Sequence, residues 1–196
     1  MRLQKIGDMV IKEKRHRLPK EFYRGEISVA FTLCVQKDVA SDVNVASGVN
    51  VASDVNVASD VNVASGFSLS EPKIVNTFTE ILSSTIEKAG CIVPVCCFMP
   101  DHQHLIITGT HNESDIWKTI VSYKQKTGYW FSCNKPGMRW QKDFYDHIIR
   151  TNEDVATQIR YILDNPVRKG LATSWEEYPF KGAVGCRLED VLLGII

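Results

Sequence analysis

An α+β fold, an antiparallel sheet with helices packed on one face, is predicted by three observations. β-rich runs occur at Ile27–Val35, Cys91–Met99 and His102–Thr108. Segments with a 3.6-residue apolar period occur at Ser70–Gly90, Glu113–Phe131 and Asn152–Asn165. Their order, with a further short strand or extended segment at Phe144–Ile149, is strand, helix, strand, strand, helix, strand, helix, as in a split βαβ arrangement.

Taken along the chain, residues 1–26 form a basic N-terminal arm, and eight Lys or Arg stand against three acids within residues 1–24. Charges run through this arm without an apolar block, so no secretory signal is expected. The first strand leads into an insert, residues 38–66, in which Val-Ala-Ser recurs every six residues from Val39 to Val63. Nine valines at odd positions alternate with Asn, Asp, Ala and Ser, which favours β over helix. The unit carries no long apolar side chain and is too short for a stacked solenoid, so a disordered loop or a loose hairpin is expected. The first helix places Ile74, Phe78, Ile81, Leu82, Thr85 and Ile86 on one stripe and ends at Gly90. Pro100 and Asp101 make a tight turn between the second and third strands. The second helix turns Ile116, Ile120, Tyr123 and Thr127 to one side. The last helix opens on a Thr151/Asp154 capping box and is stopped by Pro166. The main domain thus spans 27–186, with the low-complexity insert inside it and an apolar tail at 187–196 expected to fold back on the core.

Composition narrows the function classes. The 196 residues are 44% apolar and 23% charged, which suits one globular domain with a core. No window approaches the roughly 20 apolar residues of a membrane span. Six cysteines lack a CxxC pair or disulfide-dense spacing, which points to buried thiols in a reducing, cytoplasmic compartment. The formal net charge of zero hides an asymmetry. Four of the 23 acidic groups lie in the insert, leaving 19 against 23 basic ones elsewhere. The excess clusters in the arm and around Lys124–Lys169, as expected for a polyanion partner and also for ordinary solvated side chains.

Two places carry chemistry. In MPDHQHLIITG, His102 and His104 are two apart on a strand and share a face with Ile106 and Thr108, while Gln103, Leu105 and Ile107 face the other way. Paired imidazoles on a strand suit a metal, and equally suit two half-exposed histidines with no ligand. On the last helix Val155, Ile159, Ile162 and Leu163 form the core stripe. Tyr161 lies off that stripe, one turn before Asn165 and beside Gln158. Core packing does not explain this tyrosine. It is either a partly exposed ring or a nucleophile next to an amide oxygen able to ligate a metal.

MPDHQHLIITG, SYKQKTGYWF, RWQKDFYDHIIR and YILDNPVRKGLATSWEEYPF follow one another in an order that resembles the REP-associated tyrosine transposases, within the single-tyrosine HUH insertion-sequence transposases. RLPKEFYRGEISVAFTLCV also fits the start of that family, so the resemblance runs from Arg17 to about Gly182 apart from the insert. It implies a ferredoxin-like sheet. It places the HUH histidines on His102 and His104, with Gln103 where a bulky apolar residue is usual. It places the nucleophile on Tyr161 and a third metal ligand on Asn165. The implied activity is metal-dependent cleavage and strand transfer of single-stranded or hairpin DNA through a 5′-phosphotyrosine, with Mg²⁺ or Mn²⁺ as cofactor and no ATP. Phosphate contacts are expected from Arg139, Lys142, Arg150, Arg160, Arg168 and Lys169. Tyr123, Tyr129, Trp130, Trp140, Phe144 and Tyr145 are candidates for stacking on bases, with about half of them expected in the core. The protein is expected to act as a monomer or a homodimer. An HxHxH phosphohydrolase is ruled out by Ile106 at the third position. The remaining alternative is a decayed or domesticated transposase that binds DNA without cutting it.

Overall fold

A computed structural model describes residues 18–37, 67–150 and 155–194. After a short 3-10 turn at Lys20–Tyr23 come β1 (Ser28–Lys37), α1 (Pro72–Glu87), β2 (Cys91–Phe98), β3 (His102–Gly109) and α2 (Ile116–Asn134). They are followed by β4 (Met138–Trp140), β5 (Tyr145–Ile149), α3 (Val155–Leu163), α4 (Asn165–Arg168), β6 (Lys181–Val184) and α5 (Leu188–Leu192). The capping box, the arm before residue 18 and the insert lie outside the described residues.

All strand pairs are antiparallel, in the order β4-β1-β3-β2-β6, with β5 on the same edge of β1 as β4. The two crossovers of a βαββαβ unit leave β1 and β3 side by side at the centre, which is the ferredoxin-like arrangement. The alternation in β1 explains its central place. Val29, Phe31, Leu33 and Val35 are buried on one face, while Ser28, Ala30, Thr32 and Cys34 take the other. A Cβ at Gly109 would fall 2.0 Å from the Gly25 carbonyl oxygen, so only glycine lets the chain cross the end of β3 there.

The helices cover both faces of the sheet, contrary to the one-face expectation. α1 and α2 bury Ile74, Phe78, Leu82, Ile120, Tyr123 and Phe131 against Phe31, Leu33, Leu105 and Ile107. α3 lies on the opposite face, where Ile159, Ile162 and Leu163 meet Val95, Cys97, Ile106 and Ile149. An apolar stripe says that a helix packs; it does not say on which face. The expected 152–165 helix also divides. α3 stops at Leu163, and α4 restarts with Pro166 in its first turn, where the missing N–H costs nothing. The tail supplies α5, whose Val191 is buried and whose Leu188 and Leu192 pack beneath it, while Leu193 is exposed. Three strands differ from expectation: β1 runs on through Gln36 and Lys37, and β4 and β6 are short additions at the sheet edges.

All six cysteines are free. Burial pushes the Cys96 and Cys97 thiols up to about 12, so neither is reactive near neutral pH. Cys133 is exposed, unlike the buried thiols expected.

Candidate active site

β3 carries His102 and His104 on the α3 face. Their Nε2 atoms approach to 3.0 Å, edge to face, with ring centroids 4.6 Å apart. Each ring is held by its other nitrogen. His102 Nδ1 lies 2.6 Å from Asp101 Oδ1, so Nδ1–H donates to the carboxylate and Nε2 keeps a lone pair. His104 Nδ1 lies 2.9 Å from Thr32 Oγ1, across the β1–β3 ladder where Thr32 pairs with His104. A hydroxyl both donates and accepts, so Thr32 supports either tautomer of His104. With no cation, His104 Nε2–H donates to His102. With one, Thr32 accepts Nδ1–H instead and both Nε2 lone pairs are available.

Burial, then His102, then the positive charge of Arg168 lower the His104 pKa to about 3, with Asp101 acting the other way. The ring is therefore neutral over the whole working range, as a metal ligand must be. A carboxylate or hydroxyl behind each imidazole is the support that ligating histidines require. Among the described residues no group of three or more His, Cys, Asp and Glu forms a metal cluster.

The α3–α4 junction carries the third candidate ligand. Asn165 is 7% exposed, and its Nδ2–H donates to the Tyr161 carbonyl at 3.1 Å, one helical turn back. That bond leaves Oδ1 facing outward from the junction, where Arg168 Nη2 donates to it at 2.8 Å. The same guanidinium lies 3.9 Å from the centroid of the Tyr161 ring. Tyr161 itself is 53% exposed, as its place off the α3 stripe requires. Direct contacts thus give two clusters, His102–His104–Asp101–Thr32 and Tyr161–Asn165–Arg168. The charge of Arg168, in the second cluster, also acts on His104 in the first.

The remaining basic candidates, Arg139, Lys142, Arg150, Arg160 and Lys169, are all exposed. Strand register puts Arg139 opposite Gln36, on the histidine face. The aromatic candidates divide. Tyr129 and Tyr145 are exposed; of Trp130 and Phe144, both expected in the core, Phe144 is buried and Trp130 is half-buried against that core. Tyr123 and Trp140 are core residues: Tyr123 donates to Gln103 Oε1 at 2.8 Å and Trp140 Nε1 to Thr127 Oγ1 at 2.8 Å. Sequence reasoning did not single out Asp101 or Thr32. Asp101 adjoins the HxH motif and was readable as a partner for His102. Thr32 becomes visible only with the β1–β3 register.

The Transposase IS200 like family matches residues 67–165, the stretch from Phe67, just before α1, to Asn165. A putative REP-associated tyrosine transposase of Haemophilus influenzae is 27% identical over 117 residues, covering 54% of this chain and 66% of that protein. A REP-associated tyrosine transposase of Escherichia coli is 29% identical over 85 residues, covering 42% of this chain and 48% of that one. The chain therefore spans just under two thirds and about half of these two relatives. A solved structure of a REP-associated tyrosine transposase bound to a REP hairpin superposes with a TM-score of 0.60 at 17% identity, over 86% of this chain and 81% of the other, and shares its fold. The family match runs through the histidine strand and closes on the Tyr161–Asn165 turn, and the chain belongs to the IS200-like transposases.

Proposed function

We propose that this chain is a DNA-nicking and joining enzyme that uses Tyr161 as nucleophile on single-stranded DNA beside a hairpin. The observation that carries the reading is the His102–His104 pair, with Nε2 atoms 3.0 Å apart and both outer nitrogens held. His102, His104 and Asn165 Oδ1 would hold a divalent cation. Two imidazoles and an amide oxygen suit Mg²⁺ or Mn²⁺ with open positions better than a closed thiolate site. Such an ion, when bound, polarises a phosphoryl oxygen and neutralises charge in the transition state.

The protein residues do the rest. The Tyr161 phenol oxygen forms a bond to phosphorus and its proton passes to water. The P–O3′ bond breaks, and the departing 3′ oxygen takes up a proton. The product is a 5′-phosphotyrosine with a free 3′-hydroxyl. Because the phosphodiester is exchanged rather than hydrolysed, the reverse attack by another 3′-hydroxyl rejoins strands without ATP. Asn165 fixes the backbone of Tyr161 through its Nδ2–H, so the nucleophile and the third ligand move as one unit. Exposed Arg139, Lys142, Arg150, Arg160 and Lys169 hold the sugar–phosphate chain. The hairpin in the solved relative's structure supports a hairpin substrate here. Free thiols suit a reducing cytoplasm, and the enzyme would act as a monomer or a homodimer.

The test is incubation with 5′- and 3′-labelled hairpin oligonucleotides and Mn²⁺, followed by denaturing electrophoresis. An SDS-stable adduct is expected, absent in Tyr161→Phe and in His102→Ala. Hairpin binding without an adduct in wild type would leave a DNA-binding protein that does no chemistry.

A further inference from the structure

We propose that Arg168 is a resident cation of the site: its guanidinium occupies Asn165 Oδ1 and must withdraw before a divalent ion can use that oxygen. The inference rests on the metal site proposed above and goes beyond it, because it concerns what holds the site when no metal does.

Two observations meet on this one side chain. Its Nη2–H donates to Asn165 Oδ1 at 2.8 Å, at the oxygen that the metal site would need. Its guanidinium carbon lies 3.9 Å from the centre of the Tyr161 ring, so one face of the nucleophile's ring is shielded while the guanidinium is in place. A buried amide oxygen needs a donor or a cation, and the 7%-exposed Asn165 has one from Arg168. Arginine suits this role because its planar fork donates to an oxygen while its face stacks on a ring. Arg168 is also exposed and sits in the last turn of the four-residue α4, so it can swing out without disturbing the core. A phosphate chain entering the site would draw the guanidinium off, since a phosphate oxygen is a stronger partner than an amide. Metal loading and DNA entry are then coupled through one side chain.

The experiment is a Mn²⁺ titration of the DNA-free protein, with free Mn²⁺ read by electron paramagnetic resonance, on wild type, Arg168→Met, Arg168→Lys and His102→Ala. Arg168→Met should bind Mn²⁺ about tenfold tighter than wild type, the scale of one charge-assisted hydrogen bond. Arg168→Lys should fall between them, because it keeps the charge but loses the fork and the stacking. Equal affinity in wild type and Arg168→Met, with binding abolished in His102→Ala, would overturn the resident-cation role and leave the metal site standing. No His102-dependent binding in any variant would overturn both. In wild type, Mg²⁺ should also speed solvent exchange of the Arg168 Nε–H resonance, assigned by its loss in Arg168→Met. An unchanged rate with Mg²⁺ bound would overturn the proposal.

Discussion

His104 concentrates the chemistry of the site in one ring. Burial and two neighbouring positive or ionisable groups hold its pKa near 3, against about 6.5 in an unfolded chain. Between those values the unfolded state carries a proton that the folded state refuses. Stability from this ring is complete above about pH 6.5 and is lost progressively as pH falls towards 3. At pH 5 the loss is about 2 kcal/mol, from roughly 1.4 kcal/mol per unit over the one and a half units already passed. Urea unfolding in the presence of a chelator should therefore show wild type losing about 2 kcal/mol more than His104→Gln between pH 7 and pH 5. Equal losses would mean that the ring accepts its proton in the fold. The opposite face of β3 makes a different demand. Gln103 is fully buried there, takes the Tyr123 hydroxyl on Oε1 and has no partner for Nε2. An apolar residue at 103 would leave Tyr123 as the orphan instead, so the two polar groups are retained together.

Elements decide which side chains can reach the site. Thr32 pairs with His104 on one edge of β1 and with Tyr145 on the other, so all three point to one face, with Tyr145 roughly 10 Å from His104 along the sheet. Tyr129 is equally exposed but stands on α2, across the sheet. Stacking on single-stranded DNA is worth about 1–3 kcal/mol per base. Tyr145→Ala should therefore weaken hairpin-oligonucleotide binding at least fivefold, and Tyr129→Ala should leave it within twofold, in a fluorescence-anisotropy titration. A loss shared by both variants would remove the sheet face as the DNA track. The period of two in HQHLIITG and the 3.6-residue stripes of α1, α2 and α3 were legible in the sequence, and they separated Tyr161 from the core before any fold was known. What was not legible needed partners distant in the chain. Gln36 and Lys37 become strand only because Arg139 and Met138 lie opposite them. Tyr123 and Trp140 looked available for bases because Gln103 and Thr127, which satisfy their polar atoms, come from other elements. The α3–α4 break was read as one helix because the Tyr161-to-Asn165 spacing survives it.

At the scale of the whole molecule, the described residues form a sheet closed unequally on its two faces, with the segments flanking the insert beside the site. α1 and α2 seal one face, while α3, α5 and Tyr178 cover the β2–β3 half of the other. On the same face, Tyr145 and His147 of β5 are exposed, while Ile149 at its end is buried with α3. The 38–66 repeat leaves from β1 and returns before α1. Val35 N–H donates to the Asp101 carbonyl at 2.9 Å, and Leu69 N–H to the Pro100 carbonyl at 2.8 Å. Both roots are thus fastened to the turn that carries Asp101, the partner of His102. Because both roots are tied to this one turn, a short bridge should be able to span them. Replacing residues 39–65 by about six Gly/Ser residues should raise stability by about 1 kcal/mol, the loop-closure entropy of the longer connection. The same deletion removes Asp42, Asp54 and Asp60 and takes the formal net charge from zero to plus three. Hairpin-DNA affinity should then rise at low ionic strength, with the gain shrinking as salt is raised past the point where the Debye length falls to about 10 Å. Adduct formation through Tyr161 should persist, because Asp101 and His102 keep the backbone bonds that fix their turn. A shortened chain that melts earlier than the parent, or that binds DNA but forms no adduct, would show instead that the repeat is a working part of the site and not a tolerated insertion.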